Sequence, residues 1–166
     1  MTTAPTKADL TFDEFQIDRM SEHDLLEVVE IEEQSGLSRW GWAAYHAELQ
    51  SVHRSLLLVI RPRKLTASGS RVIGYIVARE AGGELHINNV GVRHEYRRRG
   101  LGAFLLTRVL ENARNLEVSV AYLEVRASNS AARALYEKQG FRTIAQRPNY
   151  YTDPPEDAVV MSLYLT

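Results

Sequence analysis

Apolar residues recur along this chain at two periods, and the switches between them mark out its elements. Leu25, Leu26, Val28, Val29 and Ile31 form one apolar helical face behind a Ser21–Asp24 capping pattern, which predicts a helix over 22–35 ended by Gly36. Weak alternation over 12–19 predicts a short strand before it, and Trp42, Tyr45, His46 and Leu49 predict a second short helix reaching about Val52. Ser55–Ile60 and Arg71–Arg79 then read as paired strands joined by a long hairpin loop, RPRKLTASGS at 61–70. A turn at Ala81-Gly82-Gly83 leads into a strand over Glu84–Val92, with Leu85, Ile87 and Val90 towards the core. The helical period returns over Arg99–Leu116, where Leu101, Phe104, Leu105, Val109 and Ala113 share a face. Beyond it come a strand at Tyr122–Arg126, a helix at Ser130–Gln139 closed by Gly140, and strands at Phe141–Arg147 and Ala158–Leu165. The order β-α-α-β-β-β-α-β-α-β-β describes an α/β protein with a mixed sheet, antiparallel in its first half. No repeat or long linker divides it, so the expected organisation is a loose tail at 1–10 and one domain at 11–166.

Composition narrows the chemistry. The chain has 166 residues, 45% of them hydrophobic, enough for one sizeable core without staples. Its longest apolar run, Leu56–Ile60, falls far short of the ~20 residues that span a bilayer, and MTTAPTKADL lacks the apolar run of a secretion signal, so a cytoplasmic protein is expected. Zero cysteines exclude disulfides, a thiolate nucleophile and any sulfur-based zinc site. The five histidines show no paired ligand spacing, so no metal is expected, and His86 and His94 read as incidental. A net charge of −1 argues against a dedicated nucleic-acid binder and makes any basic patch local.

The densest local signal is VGVRHEYRRRGLG, residues 90–102, at a strand end running into the long helix. Glycines at a helix start leave several N–H groups unobstructed where the helix dipole is positive, and Arg97, Arg98 and Arg99 add charge, so this turn suits a small polyanion. It is not a P-loop, since Ala103 and not lysine follows Gly102, and it lacks the third glycine of a dinucleotide fingerprint, Leu105 standing there. The plainer reading, glycines easing a crowded helix start beside solvated arginines, remains open at this level.

The segment resembles the acetyl-CoA motif of the GNAT N-acetyltransferases, Q/R-x-x-G-x-G/A, here Arg97-Arg98-Arg99-Gly100-Leu101-Gly102 after the strand Asn89-Val90-Gly91-Val92. LEVRASNSAARALYEKQGF at 123–141 resembles the second half of that cofactor site. NYY followed by EDAVVM, within 149–161, resembles the C-terminal part of the RimI type, the N-terminal-alanine acetyltransferases of ribosomal proteins. The likeness is dense over about 84–165 and thinner before it. Arg39 stands where that type usually has the proline of Pro-Trp, and Pro148 is inserted into its Arg-Asn-Tyr-Tyr; both departures fall in peptide-contact regions.

The resemblance implies a GNAT fold with its sheet splayed between the fourth and fifth strands to admit acetyl-CoA, and direct acetyl transfer to an amine with CoA as product. It places Val90, Gly91, Val92, Arg97, Arg98, Arg99, Gly100, Leu101, Gly102, Ala103, Asn129 and Tyr136 at the cofactor, with a strand bulge freeing an N–H near Val92 for the thioester oxygen. It implies Glu124 as base, adequate for an α-amine with a pKa near ~8 against ~10.4 for lysine, and Tyr136 as the acid that protonates the departing thiolate. Asn129 also suits a helix cap, and Tyr136 a core tyrosine. Trp40, Tyr150 and Tyr151 would line the acceptor groove. The preferred acceptor is a protein N-terminus, ribosomal by resemblance; a lysine or small amine, or a non-catalytic acyl-CoA-binding module, are the alternatives. The acidic run Glu22, Asp24, Glu27, Glu30, Glu32 and Glu33 is either a solvated helix face or an attractor for a basic peptide.

Overall fold

The computed structural model describes residues 13–36, 39–51 and 54–165. The expected tail at 1–10, and Leu37, Ser38 and Val52 of the connectors, lie outside the described residues. The elements run β1 (Phe15–Arg19), a 3-10 turn (Glu22–Asp24), α1 (Leu25–Gln34), α2 (Gly41–Leu49), β2 (Arg54–Pro62), β3 (Gly74–Ala81) and β4 (Glu84–Val92). A 3-10 turn (His94–Tyr96) then leads to α3 (Leu101–Asn115), β5 (Val120–Arg126), α4 (Ser130–Lys138), β6 (Arg142–Thr152) and β7 (Pro155–Tyr164). The strands form one sheet in the order β1-β2-β3-β4-β5-β7-β6, in which β4 and β5 are parallel neighbours and the other described pairs antiparallel.

Each face of the first half of the sheet carries a helical layer, which explains the apolar run in β2. Leu58 and Ile60 join Ile76, Ala78, Leu85 and Ile87 under Leu101, Leu105, Leu106 and Val109 of α3. Leu57 and Val59 point the other way, to Tyr75, Val77 and the buried side of α1 and α2: Leu25, Val28, Ile31 and Tyr45. A strand covered on both faces has no polar alternate positions, so the run is continuous.

The boundaries differ from the sequence pattern where tertiary contacts outweigh it. β2 extends to Pro62 and β3 begins only at Gly74, while Val72 and Ile73 are buried outside any strand, the Ile73 N–H donating to the Ile60 carbonyl at 2.9 Å. β6 continues to Thr152, well past Arg147, because its register with β7 shifts between Thr143 and Ala145 and again between Arg147 and Tyr151. The second shift absorbs Pro148 and an Asn149 at φ 53°, so a proline that looks like a stop sits inside an exposed edge strand. Four acidic residues of α1 and its leading turn, Asp24, Glu27, Glu30 and Glu32, are internal ties. Arg61 donates to both oxygens of Asp24 at 2.7 and 2.8 Å, and Arg93 reaches Glu27 at 2.9 Å and Glu30 at 3.3 Å. Glu32 is buried outright.

Gly74 shows how closely β3 and β4 are fitted: a Cβ there would lie 2.9 Å from the Gly91 carbonyl oxygen and 3.1 Å from Ile60 Cγ2. Gly74→Ala is expected to lower unfolding free energy by about 1–3 kcal/mol in urea titration with an unchanged m-value.

Candidate active site

The site begins where pairing stops. β4 and β5 match from Glu84 with Val120 to Ile87 with Leu123, and no pair follows, although both strands continue. The strands part into a cleft lined by Ile87–Val90 and Leu123–Arg126, with Asn129, Ala132 and Tyr136 from α4, Tyr151 from β6, and Gly36. At the point of separation β4 carries a bulge: Val77 faces Asn89 while Ala78 faces Ile87, so Asn88 is the extra residue. The bulge expected near Val92 therefore lies four residues earlier, and Val92 stays in register with Gly74. The insertion inverts the face of each later side chain. His86 lies on the face of α1 and α2, and so does Asn89, whose amide donates to the Tyr45 hydroxyl at 2.9 Å; Val90 and Val92 pack with the α3 core.

Glu124 is the first β5 residue beyond the last pair, and its side chain is 8% exposed. Its Oε2 lies 2.5 Å from His86 Nε2, and Oε1 is 3.8 Å from Nη1 of Arg147 on β6. The His86 hydrogen bond outweighs the cost of burial and, with the positive field of Arg147, holds the Glu124 carboxyl below the usual carboxylate range. Asn88 Nδ2 is 3.1 Å from His86 Nδ1, and the imidazole stacks on Tyr122 at 4.6 Å.

Tyr136, on α4, lines the same cleft and packs edge-on against Phe141. Burial, with the nearby Tyr151, pushes its hydroxyl well above the ordinary phenol range, so it stays protonated at any working pH. Asn129 does both things its position suggested: its Oδ1 caps α4 by accepting the Ala132 N–H at 3.1 Å, and it lines the cleft. Tyr151 lines the cleft too, its hydroxyl pushed up to about 12 mainly by burial, with Arg126 over its ring at 4.3 Å. Tyr150 stands one step away, edge-on to Tyr151. Trp40 is set back from the lining, stacked on Tyr45. Its N–H donates at 2.6 Å to the buried Glu32 carboxylate, which also accepts from Gly41 N–H, the Tyr45 hydroxyl and Asn89. This knot ties the α1–α2 connector to β4.

The glycine turn has the form its sequence implied. Arg98 at φ 62° and Gly100 at φ 80° bend the chain into α3, whose ladder starts at Phe104 N–H to Gly100 O. The N–H groups of Leu101, Gly102 and Ala103 thus lie outside the ladder, at the positive end of a 15-residue helix. Gly102 lets α4 approach, since a Cβ there would meet Leu135 at 3.3 Å. Arg97 is committed elsewhere, donating to the Val92 carbonyl and the Ser35 hydroxyl at 3.1 Å each, and Arg99 lies over Tyr96; Arg98 is the remaining arginine of the three at the turn. Open amides with an exposed arginine beside a parted pair of strands suit a pyrophosphate with an extended arm. Among the described residues no group of three or more His, Cys, Asp or Glu side chains has the arrangement of a metal site, and no helix is long and apolar enough to cross a membrane.

Sequence reasoning read His86 as incidental, took Arg147 only as the start of a peptide-contact segment, and passed over Asn88; the structure puts His86 and Arg147 on Glu124 and Asn88 on His86. The usable signal was parity: His86 and Tyr122 share a face in the β4–β5 register, and Glu124 follows on that face at the next alternate position.

Comparison with known proteins agrees with this geometry. Residues 23–141 match the model of the acetyltransferase (GNAT) family. The [ribosomal protein bS18]-alanine N-acetyltransferase of Escherichia coli K12 is 39% identical over 102 residues, 60% of this chain and 68% of that protein. Its Haemophilus influenzae counterpart is 32% identical over 145 residues, 86% of this chain and 93% of that one. The crystal structure of the E. coli ribosomal-protein-S18-alanine N-acetyltransferase superposes with a TM-score of 0.77 at 30% identity, over 92% of this chain and 94% of that one.

Asn129→Ala is expected to cost about 1 kcal/mol in thermal or urea unfolding through the lost cap, while Asn129→Asp, which keeps the acceptor oxygen, stays close to the parent.

Proposed function

The chain belongs to the GNAT acetyltransferase family and is an acetyl-CoA-dependent N-acetyltransferase; on that footing we propose that it acetylates the N-terminal α-amine of a ribosomal protein in the cytoplasm, with alanine as the first residue. The relatives named for that reaction support the acceptor. One observation carries the chemistry: an ionised, mostly buried Glu124 and a protonated, buried Tyr136 line the single cleft formed where β4 and β5 part.

Bound acetyl-CoA supplies the acetyl group as a thioester, whose carbonyl is open to attack by an amine. We assign its pyrophosphate to the amides at the start of α3 and its arm to β4 residues Val90–Val92, with Asn129 beside it. The acceptor enters as an ammonium ion and must lose a proton before its lone pair can attack. Glu124 takes that proton, directly or through a water, and its negative charge draws the cation into place. Because an α-ammonium titrates near ~8, a carboxylate held ionised across that range meets its acceptor in the reactive form often enough, where a lysine at ~10.4 would rarely present one. The Tyr136 O–H donates to the sulfur as charge builds there. Tyr151, beside Tyr136 and under Arg126, walls the acceptor side, and Trp40 is held by Glu32 at the connector.

The test is turnover on N-terminal peptides beginning with Ala, Ser, Met or Gly, the same peptides with blocked termini, a lysine peptide and small amines. Acetylation confined to free termini, with Glu124→Gln and Tyr136→Phe each losing ~100-fold or more while still binding acetyl-CoA, is the expected result. Turnover of lysine or small amines alone would overturn the acceptor, and full activity in either variant would overturn that residue's role.

A further inference from the structure

Histidine 86 has a place in this site that neither its sequence context nor the family motif assigns. We propose that His86 is a positioning residue for acetyl transfer: held between the Asn88 side-chain amide and the Tyr122 ring, it donates from Nε2 to one oxygen of Glu124 and leaves the other for the acceptor ammonium. The inference rests on the reading of Glu124 as base.

Three contacts fix the imidazole. The Asn88 side-chain amide lies 3.1 Å from His86 Nδ1 and ties that edge of the ring to the bulge, while a carboxylate acceptor facing Nε2 calls for a ring proton on that nitrogen. That proton points at Glu124 Oε2 across 2.5 Å. The ring plane is set by stacking on Tyr122 at an interplanar angle of 12°. The bulge makes the arrangement attainable, because Asn88 is the residue it inserts, two positions beyond His86 at the mouth of the cleft. Glu124 Oε1 is left with Arg147 at 3.8 Å, beyond hydrogen-bond reach, on a side chain that is 56% exposed and lies over the Tyr150 ring.

The other charged or titratable groups around His86 are accounted for. Arg79 on β3 is its cross-strand partner and is held by Glu48 of α2 through Nε at 3.0 Å. Glu84 precedes it on β4, and Tyr122 and Glu124 face it from β5. On β6, Arg142 stands in the same cross-strand row through Ser162 of β7, and Arg147 lies behind Glu124. Glu124 is therefore the carboxylate that His86 contacts. A donor on a carboxylate favours its ionised form, so the base stays charged as pH falls.

The sign of the test follows. Removing the donor raises the Glu124 pKa, and activity that needs the anion is lost at higher pH. The variants are His86→Leu, which has no donor, and His86→Gln, whose amide can replace Nε2–H; Asn88→Leu removes the contact at Nδ1. Two readouts are taken across pH on the full chain: the Glu124 carboxyl carbon by NMR without substrate, and kcat/KM for the best acceptor of the panel. In His86→Leu both the carboxyl titration and the acid limb of kcat/KM should move up by about one pH unit. His86→Gln should restore both towards the parent, and the KM for acetyl-CoA should stay constant throughout. A carboxyl titration that does not move in His86→Leu, or moves equally in His86→Gln, overturns the inference. A titration that moves while the acid limb does not would overturn Glu124 as base, and the positioning role with it.

Discussion

The four-residue limit on β4–β5 pairing is the constraint on which the rest of this molecule depends. Parallel strands joined through a helix are ordinarily paired along their length, because an unpaired buried amide or carbonyl costs free energy comparable to a lost hydrogen bond. Here pairing ends at Ile87 and Leu123 although β4 has five more residues and β5 three. The gap persists because the two strands are held apart by what each is fastened to. β4 is held by β3 along its full length, by the Glu32 knot through Asn89, and by Arg97 at its terminal carbonyl. β5 is held by β7 from Val120 to Arg126. Neither can swing to close the cleft without breaking a ladder on its other side.

The acidic groups of α1 and its leading turn belong to this fastening. A carboxylate as buried as Glu32 must be met by donors, and it meets four, two of them amides at the start of α2 and one from β4. Burial pushes the hydroxyls of Tyr45 and Tyr75 upward, so the pair stays neutral and able to donate into the knot. The α1–α2 side of β4 is thus built on a polar core whose carboxylate is fully met, which specifies one position for the connector more sharply than an apolar contact would.

Much of this was legible in the sequence, for physical reasons. Helical periodicity in α3 and the doubly buried run of β2 follow from burial, which leaves its mark directly in residue type. The glycine turn was legible because only certain residues tolerate its backbone, as Gly100 at φ 80° shows. Glu124 and Tyr136 were placed by motif, and both line the cleft. What failed to show was parity and partnership. A bulge adds one residue without changing composition, so its position was expected four residues late. An edge strand such as β6 is solvated on its faces and has no core alternation to display, so its far half went unread. The acidic run gave no hint of its partners because Arg61 and Arg93 are remote in sequence.

The single inserted residue in β4 gives the sheet the character of a partition wall with one slot. On one side stand the helices α3 and α4, with the open amides and the capped turn at Asn129; on the other stand α1 and α2. Change in the connector or along β6 can therefore accumulate without disturbing the layer that carries the open amides. Arg39 and Pro148, the two departures from the pattern the chain otherwise follows, stand in the connector before α2 and inside β6, both outside the α3–α4 layer.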